Sequence, residues 1–135
     1  MAIKIFKCSV CGNIAVKVVD SNVPMVCCGQ KMELLTPNTV DASEEKHLPV
    51  MTDLGGGKIK VEVGSVAHPM LPEHHISFII VETTDGFLYK PFIETTKGSP
   101  AEKAEALFNI GNDDKIVALY EYCNIHGLWK SDIKH

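Results

Sequence analysis

The 135-residue chain contains no arginine; all thirteen basic residues are lysine. It therefore lacks the planar fork that grips phosphate or carboxylate through two parallel hydrogen bonds. Basic charge is also in deficit: seventeen acidic residues leave a net charge of −4, which excludes a general nucleic-acid binder. No stretch approaches the ~18 apolar residues of a membrane-spanning helix. The opening Met1-Ala2-Ile3-Lys4-Ile5-Phe6-Lys7 mixes lysine with apolar residues and does not resemble a signal peptide. The expected location is thus the reducing cytoplasm, where cysteines persist as thiols or metal thiolates. No internal repeat and no low-complexity tract breaks the chain.

What is present is a globular mix, 45% apolar and 22% charged, with five cysteines and six histidines in a few clusters. An odd cysteine count fits a disulfide framework badly, so metal or redox chemistry is the better expectation. Four of the five cysteines fall within the first 28 residues and the fifth is Cys123. That asymmetry predicts a small N-terminal unit, residues 1–37, and a larger one, residues 38–135, joined at Thr36-Pro37-Asn38-Thr39. A unit as short as the first cannot live on a hydrophobic core and needs a staple.

The chain reads as all-β. Ile3–Phe6 and Ile14–Val19 are short strands on either side of a turn at Cys8. Lys58–Val63 alternates strictly, the mark of a half-buried strand. Ile76–Val81 and Lys115–Tyr122 are further strands rich in branched and aromatic residues. Gly55-Gly56-Gly57 lacks the Lys-Ser/Thr and the helix of a phosphate loop and reads as a hairpin turn. Pro100–Phe108, rich in Ala, Glu and Lys, is the one predicted helix. Short strands with glycine-marked turns point to a β-sandwich in the larger unit.

Cys8-x-x-Cys11 is followed after fifteen residues by Cys27-Cys28. A C-x-x-C pair bends the chain into a knuckle whose amides point at the sulfurs, and Gly12 permits the tight approach. Two pairs make the tetrahedral four-sulfur shell of zinc or a single iron, and residue type alone does not choose between them. The adjacency of Cys27 and Cys28 predicts a distorted tetrahedron. A thioredoxin-type dithiol would need a βαβ context that is absent here.

The larger unit holds His47, His68, His74, His75, Cys123 and His126. Cys123-Asn124-Ile125-His126-Gly127 offers a C-x-x-H pair at chelating spacing, after a strand and before a glycine. His68-Pro69-Met70 and His74 flank a proline-containing turn. His74 and His75 are adjacent, so on an extended chain only one faces a given metal. Alternation does not choose, because Ile76–Val81 is apolar on both faces. Up to four imidazoles and one thiolate exceed a closed structural zinc site, and five ligands on a six-coordinate metal leave one position open for chemistry.

With these motifs in this order, the sequence resembles the desulfoferrodoxin family, the two-iron class of superoxide reductases. The resemblance spans essentially the whole chain. It rests on the four-cysteine motif, Glu45-Lys46-His47-Leu48-Pro49, His68-Pro69-Met70 with His74, and Cys123-Asn124-Ile125-His126-Gly127-Leu128-Trp129. It implies a desulforedoxin-like domain followed by an immunoglobulin-like β-sandwich, and two irons per chain. Cys8, Cys11, Cys27 and Cys28 would hold the first, with zinc as the alternative metal. His47, His68, His74 and His126 would be equatorial ligands of the second, with Cys123 axial and His75 a bystander. Glu45 matches the sixth ligand of the oxidised state and Lys46 the lysine beside the open position. The implied substrate is superoxide, the implied donor a rubredoxin-like protein, and the implied assembly a homodimer. Backbone amides of Asn124 and Ile125 are expected to hydrogen-bond the Cys123 sulfur. The alternative is a two-centre electron carrier without a substrate.

Overall fold

The computed structural model describes residues 3–39, 44–65, 68–92, 103–111 and 115–134, which divide into two units, Met1–Thr36 and Pro37–His135.

In the first unit, β1 (Ile5–Lys7) is the centre of a three-stranded sheet, antiparallel to β2 (Ile14–Val16) on one side and β5 (Glu33–Leu34) on the other. Between them, β3 (Val26–Cys27) and β4 (Gln30–Lys31) form a tight hairpin. The strands are shorter than the apolar runs suggest, because Val18 and Val19 are exposed rather than paired. Among the described residues of this unit only Ile5 and Cys8 are buried. Asp20 ties the surface together, accepting from Lys4 at 3.2 Å and Lys17 at 3.1 Å. With the amide of Asn22 as the largest contributor and the two ammonium groups next, its carboxyl is held down at about 2.

The second unit opens with a single helical turn, α1 (Glu44–His47), and continues as strands. β6 (Pro49–Gly55), β7 (Lys58–Val63) and β10 (Glu105–Asn109) form one antiparallel sheet in the order β10-β7-β6. β8 (Ile76–Thr83), β9 (Gly86–Pro91), β11 (Ile116–Cys123) and β12 (Gly127–Asp132) form the other, in the order β12-β11-β8-β9. Ile59, Val61, Val63, Ala106 and Phe108 from the first sheet pack against Ile76, Ile79, Val81, Ile116, Leu119 and Cys123 from the second. This is the immunoglobulin-like sandwich, with seven antiparallel strands in two layers among the described residues. Among the described residues no helix is long and apolar enough to cross a membrane.

Lys58–Val63 alternates as its pattern demands, with Ile59, Val61 and Val63 facing inward. Gly56 and Gly57 both have positive φ, 63° and 80°, which suits the two-residue hairpin turn between β6 and β7. The predicted helix is corrected over its described part. Residues 100–102 lie outside the described residues, but Glu105–Asn109 is a strand paired with β7, Ala106 opposite Val61 and Phe108 opposite Ile59. Ala, Glu and Lys favour helix only weakly, and burying Ala106 and Phe108 on one pleated face outweighs that preference.

Candidate metal centres

Among the described residues two clusters of metal-binding side chains form, one in each unit: Cys8, Cys11, Cys27 and Cys28, and His47, His68, His74, Cys123 and His126. Within each, the donor atoms lie within 4.8 Å of one another.

The first cluster is made by two turns. After β1 the chain bends at Cys8, whose amide donates to the Asn13 carbonyl at 2.8 Å while Gly12, at φ 82°, returns its amide to the Cys8 carbonyl at 3.0 Å. Amides of Cys11 and Asn13 lie 3.5 Å from the sulfurs of Cys8 and Cys11. Cys28 and Gly29 are the two central residues of the β3–β4 hairpin, at φ 53° and 74°. This left-handed pair lets adjacent cysteines meet one point, and Cys28 bears about 1–2 kcal/mol of backbone strain for it. The Cys11–Cys27 and Cys27–Cys28 sulfurs are 3.6 and 4.0 Å apart. A tetrahedron with metal–sulfur bonds of about 2.3 Å has edges of about 3.8 Å, so the cage fits a metal and is uneven as adjacency predicts. Electrostatics point the same way. Amides of Cys11 and Val10 draw the Cys8 thiol down to about 6, whereas sulfur neighbours, Cys11 first, push Cys28 up to about 12. The last protons leave such a cluster only when a cation replaces them.

The second cluster is assembled from four places. His47 ends α1; His68 and His74 bracket the segment that enters β8; Cys123 ends β11; His126 lies in the β11–β12 turn. That turn has three residues between the paired Cys123 and Gly127, and Gly127 closes it at φ 78°. His47 Nε2 is 2.9 Å from His126 Nδ1 and 3.3 Å from His68 Nε2, while Cys123 Sγ is 3.7 Å from His126 Nδ1. Neighbouring ligands about 2.1 Å from one metal at right angles lie about 3 Å apart, so these spacings suit a shared ion. His68 Nδ1 donates to the Pro69 carbonyl at 2.7 Å, which leaves Nε2 bare and aimed at the cluster. His74 Nε2 is buried with no hydrogen-bond partner. A buried nitrogen without a hydrogen-bond partner, among three other imidazoles and a thiol, fits a ligand of a shared cation.

Burial sets the charge of these groups. It lowers His68 to about 4, with the charges of His47, His74 and His126 adding to the effect. His74 is lowered chiefly by burial, then by His126, His75 and the ammonium of Lys46. Both rings are therefore neutral at pH 7, as ligands must be. Burial raises Cys123, opposed by backbone N–H groups of His126 and Ile125. Ile125 faces the sulfur as expected, and His126 takes the place expected of Asn124. The Asn124 amide instead donates to the His75 carbonyl at 3.1 Å.

Lys46 is exposed, and its charge reaches His74. The side chain of Glu45 lies outside the described residues. His75 is outside the cluster: its ring is buried and donates from Nδ1 to the carbonyls of Leu71 and Pro72 at 3.0 and 3.1 Å. Two residues carry more than sequence reasoning gives them. Trp129, the one tryptophan, stacks on His47 with centroids 5.1 Å apart and donates from Nε1 to the His126 carbonyl at 3.1 Å. It thereby orients two candidate ligands, and its place three residues after His126 was the available signal. Glu121 is 0% exposed, neither carboxylate oxygen has a hydrogen-bond partner, and burial pushes it up to about 9. Because β11 is buried on both faces, alternation gives no signal for it; it stands opposite Ile79 of β8 and Trp129 of β12.

Comparison with known proteins agrees with this architecture. The Desulfoferrodoxin N-terminal domain matches residues 2–35 and the Desulfoferrodoxin domain residues 39–132. A desulfoferrodoxin of Desulfarculus baarsii is 45% identical over 131 residues, 96% of each chain. A superoxide reductase of Pyrococcus abyssi is 35% identical over 105 residues, 70% of this chain and 90% of that one. Among solved structures, the superoxide reductase from Treponema pallidum superposes with a TM-score of 0.77 at 30% identity, covering 98% of this chain and all of that one. With both cysteine and histidine clusters assembled and both domains matched along nearly its whole length, the chain belongs to the desulfoferrodoxin family.

Proposed function

We propose that the protein is a superoxide reductase, adding one electron and two protons to superoxide to give hydrogen peroxide. Residues 38–135 are the catalytic domain and residues 1–37 a rubredoxin-type iron domain in which zinc is the alternative metal. The observation that carries the reading is the convergence of four imidazole nitrogens and one thiolate, five donors where a six-coordinate metal takes six. Iron bound there would supply the electron, passing from ferrous to ferric.

The chain's own residues supply the rest. Imidazoles of His68 and His74 stay neutral because burial disfavours their charged forms, and His47 and His126 complete the set of four nitrogens. Cys123 is the strongest electron donor of the five, and the two N–H groups facing its sulfur moderate that donation. Lys46 places positive charge beside His74 on a chain of net charge −4 and draws in a small anion. Glu45 is the carboxylate of the oxidised resting state. The electron comes from a rubredoxin-like donor in the cytoplasm, to a homodimer. A pure electron carrier is the weaker reading, since a carrier gains from a closed ligand shell.

Product stoichiometry tests the proposal. With a reductant present, each superoxide should consume one electron and yield one peroxide without dioxygen. Release of one dioxygen for every two superoxides would identify a dismutase and overturn it.

A further inference from the structure

Asn124 occupies an unusual position between two of the candidate ligands. Its backbone follows Cys123 directly, and its amide extends the β8–β11 ladder by one bond, to the His75 carbonyl at 3.1 Å. A regular antiparallel pair would return the His75 amide to a backbone carbonyl. Here the His75 amide donates at 2.8 Å to the Asn124 side-chain oxygen, Oδ1. The side-chain nitrogen, Nδ2, donates at 3.0 Å to the carbonyl of Glu73. One carboxamide thus grips the peptide groups on both sides of His74.

The turn it grips is closed from the other end. Leu71 and His74 exchange both backbone hydrogen bonds at 3.0 Å, and the His75 ring donates to the carbonyls of Leu71 and Pro72. Carbonyls only accept, so Nδ1 carries the proton and the ring is committed to this structural task. Asn124 is exposed and water could satisfy its amide, so its three bonds inward are not forced by burial.

We propose that Asn124 is a positioning residue that fixes His74 relative to Cys123, using the His75-closed turn as its anchor. The inference rests on the reading of Cys123 and His74 as ligands of one iron. A carboxamide provides in one planar group the acceptor and the donor that the two flanking peptides need.

The test is made on the full, iron-loaded chain, comparing it with Asn124→Ala and Asn124→Asp by visible spectrum, metal content and rate of iron loss to a chelator. Asn124→Ala should shift the ferric-thiolate band of the second centre and release that iron about 10- to 100-fold faster, the range seen when groups that orient metal ligands are removed. Absorption from the four-cysteine centre should stay unchanged in the same sample. Asn124→Asp keeps the acceptor for His75 but loses the donor to Glu73, and should fall between. Should the alanine variant fail to fold, the aspartate variant decides by the same readings. An unaltered band and release rate in the variants would overturn the proposal while leaving the ligand set intact. Absence of any ferric-thiolate band from the second centre of the unaltered chain would overturn the ligand set, and this proposal with it.

Discussion

In the N-terminal unit four sulfurs sit on two turns and, among the described residues, only Ile5 and Cys8 are buried, whereas in the C-terminal unit His47, His68 and Cys123 are buried against a two-layer core. Ligands of the first centre are close in sequence, and the turns that hold them have little else to hold. Ligands of the second come from α1, the segment before β8, the end of β11 and the β11–β12 turn, all placed by strands with their own reasons to pair. The difference teaches which site makes its fold and which is made by it. A four-sulfur cage without a core ties folding to metal. A sandwich core stands without metal and can leave one coordination position uncommitted.

The largest effect expected is removal of the first metal. Cys11→Ser, or stringent chelation, should unfold residues 3–36, since structural metal–thiolate sites supply about 10–16 kcal/mol to their domains. Amide chemical shifts of β6–β12 should survive; their collapse together with the first unit would break the contrast. Next comes Trp129→Ala, which removes the ring stacked on His47 and the donor to the His126 carbonyl. Denaturant unfolding should show a loss of about 3–5 kcal/mol in the second unit, with weaker iron retention at the second centre alone.

Glu121→Met should act in the opposite direction. Replacing a buried, unpartnered carboxyl by an apolar side chain of similar size removes an uncompensated cost of about 1–3 kcal/mol, so the unfolding midpoint should hold or rise. A clear fall would mean that the carboxyl has a partner inside the sandwich. Smallest is Lys46→Ala, which should slow the second-order reaction with superoxide a few-fold, on the order of a single charge's contribution to steering, and flatten its dependence on salt. Unchanged salt dependence would remove the steering role.

Sequence made the first centre readable because its geometry is local: C-x-x-C with Gly12 dictates a turn, and the adjacency of Cys27 and Cys28 predicts an uneven cage. C-x-x-H before Gly127 was readable for the same reason. Harder was the choice between His74 and His75, because β8 is central in its sheet and buried on both faces, which erases the alternation that would have assigned them. Asn124 was misjudged in a similar way. Its backbone amide is spent on the β8–β11 ladder, so His126 replaces it at the sulfur. Strand β10 escaped notice because its composition speaks for helix while its burial depends on β7 beside it.

By itself, then, the sequence determined the chemistry: which donors exist, that the cysteines split four and one, and that an acidic chain without arginine offers lysine alone as a cation. These follow from residue type and short spacing, which need no partner from elsewhere in the chain. Only the tertiary structure decided that His47, His68 and His126, separated by as many as 79 positions, meet at distances of 2.9–3.3 Å. It also turned His74 inward and His75 to its turn, and it shut Glu121 into the core. Those outcomes depend on how two sheets stack and where β8 and β11 register, and long-range pairing of that kind leaves no local mark in the order of residues.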